Sequence, residues 1–279
     1  MNAGMPGVAL WTLAGSIFET RPLHGLLARA GAARAAGFTR IGACTTDYRN
    51  RDQARFDTGY LRAAGMAVTD IEFIKLDEAR DPDQEYAAFA LADALTQAGA
   101  ADRLSLKIGW CSPEPVYDST VTRRVRDLAD RAAEHDMRLG FEPVCFGRLG
   151  NVDHATHIIT AAARPNIGLV LDVYHVGRVY GDQWPDVTPD LVTGIEVCGL
   201  SRGALAWPDA LKHDALCGRL LPTEGVFPVA QWVASLREAG VTARVCAEVM
   251  SDRLRGLPVH GAAREVAASL TVLAAVPVT

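Results

Sequence analysis

The sequence predicts an α/β fold, a single-domain (β/α)8 TIM barrel over residues 1–279, and three observations predict it. The length of 279 residues is close to the roughly 250 residues typical of such barrels. Short apolar runs alternate in order with longer stretches of helical periodicity, eight times over, which argues for a parallel sheet covered by helices. No Pro/Gly/Ser linker or low-complexity segment divides the chain, and its 49% hydrophobic content supplies a large core. An open doubly wound sheet would want a glycine-rich turn after its first strand. Here the first strand runs into Trp11-Thr12-Leu13-Ala14-Gly15, with no such turn.

The first strand is placed at Gly7–Leu13, an uninterrupted apolar run. An Ala- and Leu-rich helix over Leu23–Ala36 ends at Gly37 and leads to the second strand, Arg40–Thr45. The third strand is Ala67–Leu76, followed by a helix over Asp83–Ala98 that ends before Gly99. The fourth, Arg103–Trp110, precedes a helix over Ser119–His135 that opens on Ser and Thr caps. The fifth, sixth and seventh are Met137–Val144, Ile167–Val173 and Val192–Cys198. A helix over Pro228–Ala239 ends at Gly240, the eighth strand is Arg244–Met250, and a helix over Ala262–Ala275 closes the chain. Glycine just past a helix end relieves the strain of the left-handed cap.

The formal net charge of −5 gives no electrostatic reason to expect nucleic acid or an anionic membrane as partner. The densest basic group, Arg123, Arg124 and Arg126, lies on a helical pattern and reads as a solvated face. Six cysteines, Cys44, Cys111, Cys145, Cys198, Cys217 and Cys246, form no C-x-x-C pair. In a chain this long they suggest reduced thiols. No apolar run approaches a membrane span, and no signal-like segment opens the chain. The expectation is a soluble, cytoplasmic protein.

Four segments carry chemistry: Gly140-Phe-Glu142-Pro143, Leu171-Asp172-Val-Tyr-His175, Ile195-Glu196-Val-Cys198 and Cys246-Ala-Glu248-Val249. Each puts a carboxylate at or near the end of an apolar strand. Side chains alternate along a strand. Counting back by two from the acids meets Gly140, Val170 and Gly168, Gly194 and Cys246, the small or β-branched residues of a barrel interior. The acids therefore point inward at the strand ends, where barrel active sites sit. Several carboxylates on one mouth repel one another unless cations or protons neutralise them. A divalent metal does so economically, and oxygen ligands favour Mg²⁺ or Mn²⁺. The alternative is an ion pair from each acid to Arg or Lys. His175 follows Asp172 by three residues, a spacing that fits either the same site or a structural role.

These residues resemble the xylose isomerase-like barrel superfamily, the sugar phosphate isomerase/epimerase group that also includes family 2 apurinic endonucleases. The resemblance covers nearly the whole chain. It rests on Ala35-Ala-Gly37-Phe38-x-x-Ile41, on Glu142-Pro143, and on Pro165-Asn166-Ile-Gly168-Leu-x-Leu-Asp172-x-x-His175. It is completed by Arg219-Leu-Leu-Pro222-x-Glu224-Gly225 and the Glu248 strand. It implies a metal held by Glu142, Asp172 and Glu248. The family's histidine on the seventh strand is absent, and Glu196 takes its place by inward parity with Gly194. Glu196 also lies six residues before Arg202, the spacing from the metal histidine to a substrate-binding arginine in ketose 3-epimerases of this group.

By the same resemblance Glu142 and Glu248 are the catalytic acid/base pair. They move a proton next to a metal-polarised carbonyl through an enediolate. His175 and Arg202 hold substrate oxygens. Lys107, Trp110, Glu224 and Trp11 are further candidates, with packing or a loop ion pair as the alternative for each. Lys107 stands out because it interrupts an apolar strand. The leading expectation is a metal-dependent isomerase or epimerase of a small carbohydrate-like ketone; barrels of this group often pair, which makes a homo-oligomer an open option that the sequence does not decide. The others are a dehydratase of the inosose or 3-dehydroshikimate type, an apurinic endonuclease, and a non-catalytic barrel. The endonuclease reading wants many more histidines, and only His175 lies near the mouth. The long segment Ser201–Val226 is expected to form a lid carrying Trp207, Arg219 and Glu224.

Overall fold

The computed structural model describes residues 6–18, 20–181 and 183–274. Eight parallel strands close into a barrel in sequence order, as the alternating pattern predicts. The strands are β1 (Gly7–Val8), β2 (Arg40–Cys44), β3 (Ala67–Lys75), β4 (Ala101–Gly109), β5 (Arg138–Glu142), β6 (Ile167–Asp172), β7 (Val192–Val197) and β8 (Arg244–Ala247). Closure is made by β1, which pairs β2 at Val8–Ile41 and β8 at Gly7–Cys246 and Val8–Ala247.

The first half of the helical layer comprises α1 (Leu10–Leu13), α2 (Leu26–Ala35), α3 (Arg51–Ala63), α4 (Pro82–Ala98), α5 (Asp118–Glu134) and α6 (Val152–Ala162). The second half comprises α7 (Val173–Tyr180), α8 (Asp209–Cys217), α9 (Val229–Glu238), α10 (Asp252–Arg255), α11 (Val259–Ser269) and α12 (Thr271–Ala274). The main core fills the space between barrel and helices with residues such as Phe38, Ile71, Leu106, Phe141 and Trp232. No helix among the described residues is long and apolar enough to cross a membrane. All six cysteines are free thiols.

The glycine stops predicted after three helices hold. Gly37, Gly99 and Gly240 have φ of 96°, 67° and 95°. Asp81 caps α4 by accepting from the backbone N–H groups of Asp83 and Gln84, with Pro82 in the first turn. The first strand is shorter than predicted. Leu10–Leu13 turns into helix α1, all four residues buried. A short run that is apolar on every side gives no period by which to tell strand from helix. Five further helices went unpredicted: α3, α6, α7, α8 and α10. The closing helix is split at Leu270 into α11 and α12, and Ala275 lies outside the described residues.

Strand register sets the level of the site. Lys107 of β4 lies opposite Gly140 of β5, and Gly109 lies opposite Glu142. Asp172 of β6 pairs with Glu196 of β7, and Glu196 with Cys246 of β8. The acids of four neighbouring strands thus reach the same C-terminal mouth.

Candidate active site

Glu142 and Asp172 are the last residues of β5 and β6, Glu196 is next to last on β7, and Glu248 follows β8. Glu248 stays in the ladder through its N–H to the Val197 carbonyl, 3.0 Å. A fifth acid, Glu72 of β3, joins them, and all five are at most 4% exposed. Lys107 stands at the centre. Its Nζ lies 2.8 and 2.9 Å from the two Glu196 oxygens, 3.1 Å from Glu248 and 3.4 Å from Glu72. Glu142 is 3.6 Å away. A second buried cation, Arg219, lies 2.6 Å from Asp172 Oδ2 and 3.0 Å from Glu248 Oε2 through Nη1. Its guanidinium rests 4.9 Å over the Tyr174 ring.

One such pair at about 3 Å is worth roughly 5 kcal/mol at an effective dielectric of about 20. That is comparable to the several kcal/mol it costs to bury each ion, so pairing alone leaves excess charge unstable. Five carboxylates against two cations leave an excess of three. Protons balance it. Burial is the largest influence on Glu142 and, with Glu248 and Asp172 nearby, outweighs the pull of Lys107 to lift its pKa to about 8. Burial likewise raises Glu72 and Glu196 well above the usual carboxylate range. Lys107 is opposed by its own burial, yet the surrounding glutamates hold it firmly charged. Burial and mutual repulsion thus favour protons on these three carboxyls, and the cluster titrates as a unit.

His175, on α7, accepts the Cys145 backbone N–H at Nδ1, 3.2 Å. That leaves the proton on Nε2, which faces Glu142 Oε1 at 3.5 Å and Asp172 Oδ2 at 3.7 Å. Burial, and then Arg219, keep the ring neutral. Asp172 doubles as the N-cap of α7, accepting from Tyr174 N–H at 2.8 Å, which locks its carboxylate in place. Above the cluster lies a small pocket. Its floor is Glu72, Lys107, Glu142, His175, Arg219 and Glu248, and its walls are mostly apolar. Arg219 Nη2 is buried without a hydrogen-bond acceptor, and Glu248 Oε2 without a donor in hydrogen-bond geometry.

The sequence pattern of the family described as xylose isomerase-like TIM barrel matches residues 31–274. The chain belongs to this family. A curated relative, the 3-dehydroshikimate dehydratase of Pseudomonas aeruginosa, is 28% identical over 155 residues. That match covers 53% of this chain and 23% of the relative, so the chain spans less than a quarter of the relative's length. Among solved structures, a xylose isomerase domain protein from Alicyclobacillus acidocaldarius superposes with a TM-score of 0.75 at 20% identity, covering 98% of this chain and 99% of the other. A xylose isomerase-like TIM barrel protein from Mycobacterium smegmatis in complex with magnesium gives 0.65 at 18%, covering 96% of each chain.

In this xylose isomerase-like barrel the donor set fits a hard divalent ion. One oxygen each from Glu142, Asp172, Glu196 and Glu248 lie within 4.8 Å of one another, as do ligand atoms of Glu142, Asp172 and His175. Lys107 grips both oxygens of Glu196, and the His175 Nε2 carries its proton. Cys198, two residues past Glu196, is fully buried, and burial holds its thiol well above the usual range.

The structure brings Glu142, Asp172, Glu196, Glu248, His175 and Lys107 together. Arg202 is exposed and has no described tie to the cluster. Glu224 accepts the Leu221 N–H at 3.0 Å and faces Arg253 at 3.4 Å, which braces its own loop. Trp110 is half-buried, its indole N–H unpartnered and outside the pocket lining. The expected lid contains helix α8. Its Trp207 is 52% exposed, whereas its Arg219 is 1% exposed and part of the site floor. Sequence reading missed Glu72, although Asp70 and Glu72 repeat on β3 the spacing by two that found the other acids.

Proposed function

We propose that this barrel dehydrates a small polyhydroxylated ketone of the 3-dehydroshikimate type, beginning with removal of a proton next to the carbonyl. The observation that carries the proposal is a buried cation set against a buried carboxylate at one pocket: Arg219 Nη1 lies 3.0 Å from Glu248 Oε2, and Arg219 Nη2 is buried with no acceptor of its own. Proton removal next to a carbonyl needs a base at the carbon and positive charge at the oxygen where the enolate develops. Glu248 supplies the base. Arg219 and the Lys107 ammonium supply the charge, already desolvated and fixed by their carboxylates.

Glu142 holds its proton at neutral pH because its pKa stands at about 8. It is suited to protonate the leaving hydroxyl on the adjacent carbon, so that water departs and a C=C bond forms. His175 Nε2–H, beside Glu142, orients that hydroxyl. The apolar walls, Trp11, Phe73, Val144, Phe146 and Met250, keep bulk water from the enolate. A divalent ion, Mg²⁺ or Mn²⁺, held by Asp172 and Glu248 beside the protonated Glu142, would polarise the carbonyl further. The likeness to the Pseudomonas aeruginosa dehydratase supports elimination as the outcome. If the enolate is instead reprotonated by Glu142, the same constellation gives an isomerase or epimerase. The two acids of the opened pair, on β5 and after β8, favour that as the second reading.

The test is incubation of the metal-loaded protein with 3-dehydroshikimate and with a ketose panel in deuterated water, followed by mass spectrometry. Loss of 18 mass units (one water) is expected, abolished by Glu248→Gln and by chelation, and restored by Mn²⁺ or Mg²⁺. Deuterium uptake without loss of water would replace the dehydratase by the isomerase reading. Neither signal would reject both.

A further inference from the structure

The pocket above the acids is small, but it does not end at its walls. Trp11, Phe18, Glu72 and Phe73 also line a second, larger groove over the loops that follow β1, β2 and β3. Phe18 stands between the two spaces, edge-on to Trp11 at 5.2 Å and to Phe73 at 5.4 Å. A substrate bound at Lys107 and Arg219 therefore has one roomy direction in which to extend.

The charges of that groove are unequally committed. Its acids are Glu72, Glu78 and Asp81, and its cations are Arg21, Arg49 and Lys75. Glu72 faces Lys107, Glu78 pairs with Lys75 at 2.9 Å, and Asp81 caps α4. Arg21 and Arg49 are exposed and have no ion pair among the described residues. A third donor is uncommitted. The Trp11 side chain lines both spaces and is 4% exposed, and its indole N–H has no acceptor. A buried N–H without a partner is costly unless a ligand oxygen or water completes it. At the carboxylate ring itself an anionic group finds both cations, Lys107 and Arg219, already paired with acids. It is drawn to the two arginines, whose planar forks suit a carboxylate or phosphate.

We propose that this groove is a subsite for an oxyanion carried by the substrate, held by Arg21, Arg49 and the Trp11 indole N–H, while the ketone end occupies the pocket. The placement of the ketone end rests on the function proposed above; the oxyanion subsite can be read without turnover. The test is calorimetric titration of the metal-loaded protein at low salt with two matched pairs. Shikimate and its methyl ester differ by a carboxylate charge, and ribose 5-phosphate and ribose by a phosphate.

In at least one pair the charged member is expected to bind about tenfold tighter or better, a difference of about 1.4 kcal/mol. The pair that shows it identifies the anion. The Arg21→Ala/Arg49→Ala double variant, altered only at exposed positions, should bind both members of that pair alike. Trp11→Phe should weaken the charged member several-fold. Equal binding of charged and neutral members in both pairs overturns the subsite, as does a double variant that keeps the preference. A preserved charge preference without any loss of water rejects the reaction and leaves the subsite standing.

Discussion

At the scale of single residues, the site is governed by where its charge is balanced. Lys107 and Arg219 offset two carboxylates, and protons on Glu72, Glu142 and Glu196 offset the rest. The consequence for stability has a definite sign. A carboxyl whose folded pKa lies above its unfolded value of about 4.3 holds a proton that the unfolded chain has already released. The stabilisation is complete below about pH 4.3 and is lost as pH rises to about 8, where Glu142 ionises. The Glu142 contribution to the stability of the metal-free protein should therefore be lost across that window. Glu142→Gln should flatten the slope by one proton, about 1.4 kcal/mol per pH unit, in urea titrations at successive pH values. An unchanged slope would show that Glu142 is already ionised at neutral pH. The acids were legible in the sequence because strand parity repeats locally. Arg219 was not legible as a site residue, because it reaches the mouth from a long segment whose path no local period reveals. Lys107 was visible as an oddity, a lone cation in an apolar strand. Its central role depends on four other strands arriving at its level.

At the scale of elements, the strands were legible to within a few residues, and the helices that end in glycine were legible too. What failed were the four-residue α1 and α8 inside the expected lid, together with the ordinary-length α3, and α6, which lacks a glycine stop at its end. Pattern reading also treats the interior glycines as equivalent, and the packing does not. A Cβ on Gly168 would lie 2.2 Å from Thr193 Cγ2 and 2.4 Å from the Leu191 carbonyl, so backbone would have to move. A Cβ on Gly194 would meet nothing nearer than Val170 at 3.6 Å, an ordinary contact. Gly168→Ala should cost about 1–3 kcal/mol and displace β6, the strand that ends in Asp172. Gly194→Ala should stay within about 0.5 kcal/mol of the parent. Denaturant midpoints compare the two directly, and equal costs would contradict the packing.

At the scale of the whole molecule, the catalytic mouth depends on a seam between the chain's beginning and its end. The segment that matches the family pattern starts at residue 31, yet the barrel is closed by β1, only two residues long, lying before it. So short a strand holds a parallel ladder weakly, and Thr12 reinforces it. Its Oγ1 donates to the Ala247 carbonyl at 3.0 Å and accepts from the Val249 N–H at 2.9 Å. These two bonds bracket Glu248, the proposed base, and fix its backbone against the first turn of the chain. Thr12→Val keeps the shape, removes both bonds and leaves the Val249 N–H buried. The cost should be about 2–3 kcal/mol, seen as a lower urea midpoint with an unchanged slope. Because reacting groups displaced by about 1 Å can lose up to about a hundredfold in rate, turnover of the folded variant should fall about tenfold or more. The Kd for substrate should change little, since Lys107 is held from β4. Lower stability with undiminished turnover would mean that the seam closes the barrel without positioning Glu248.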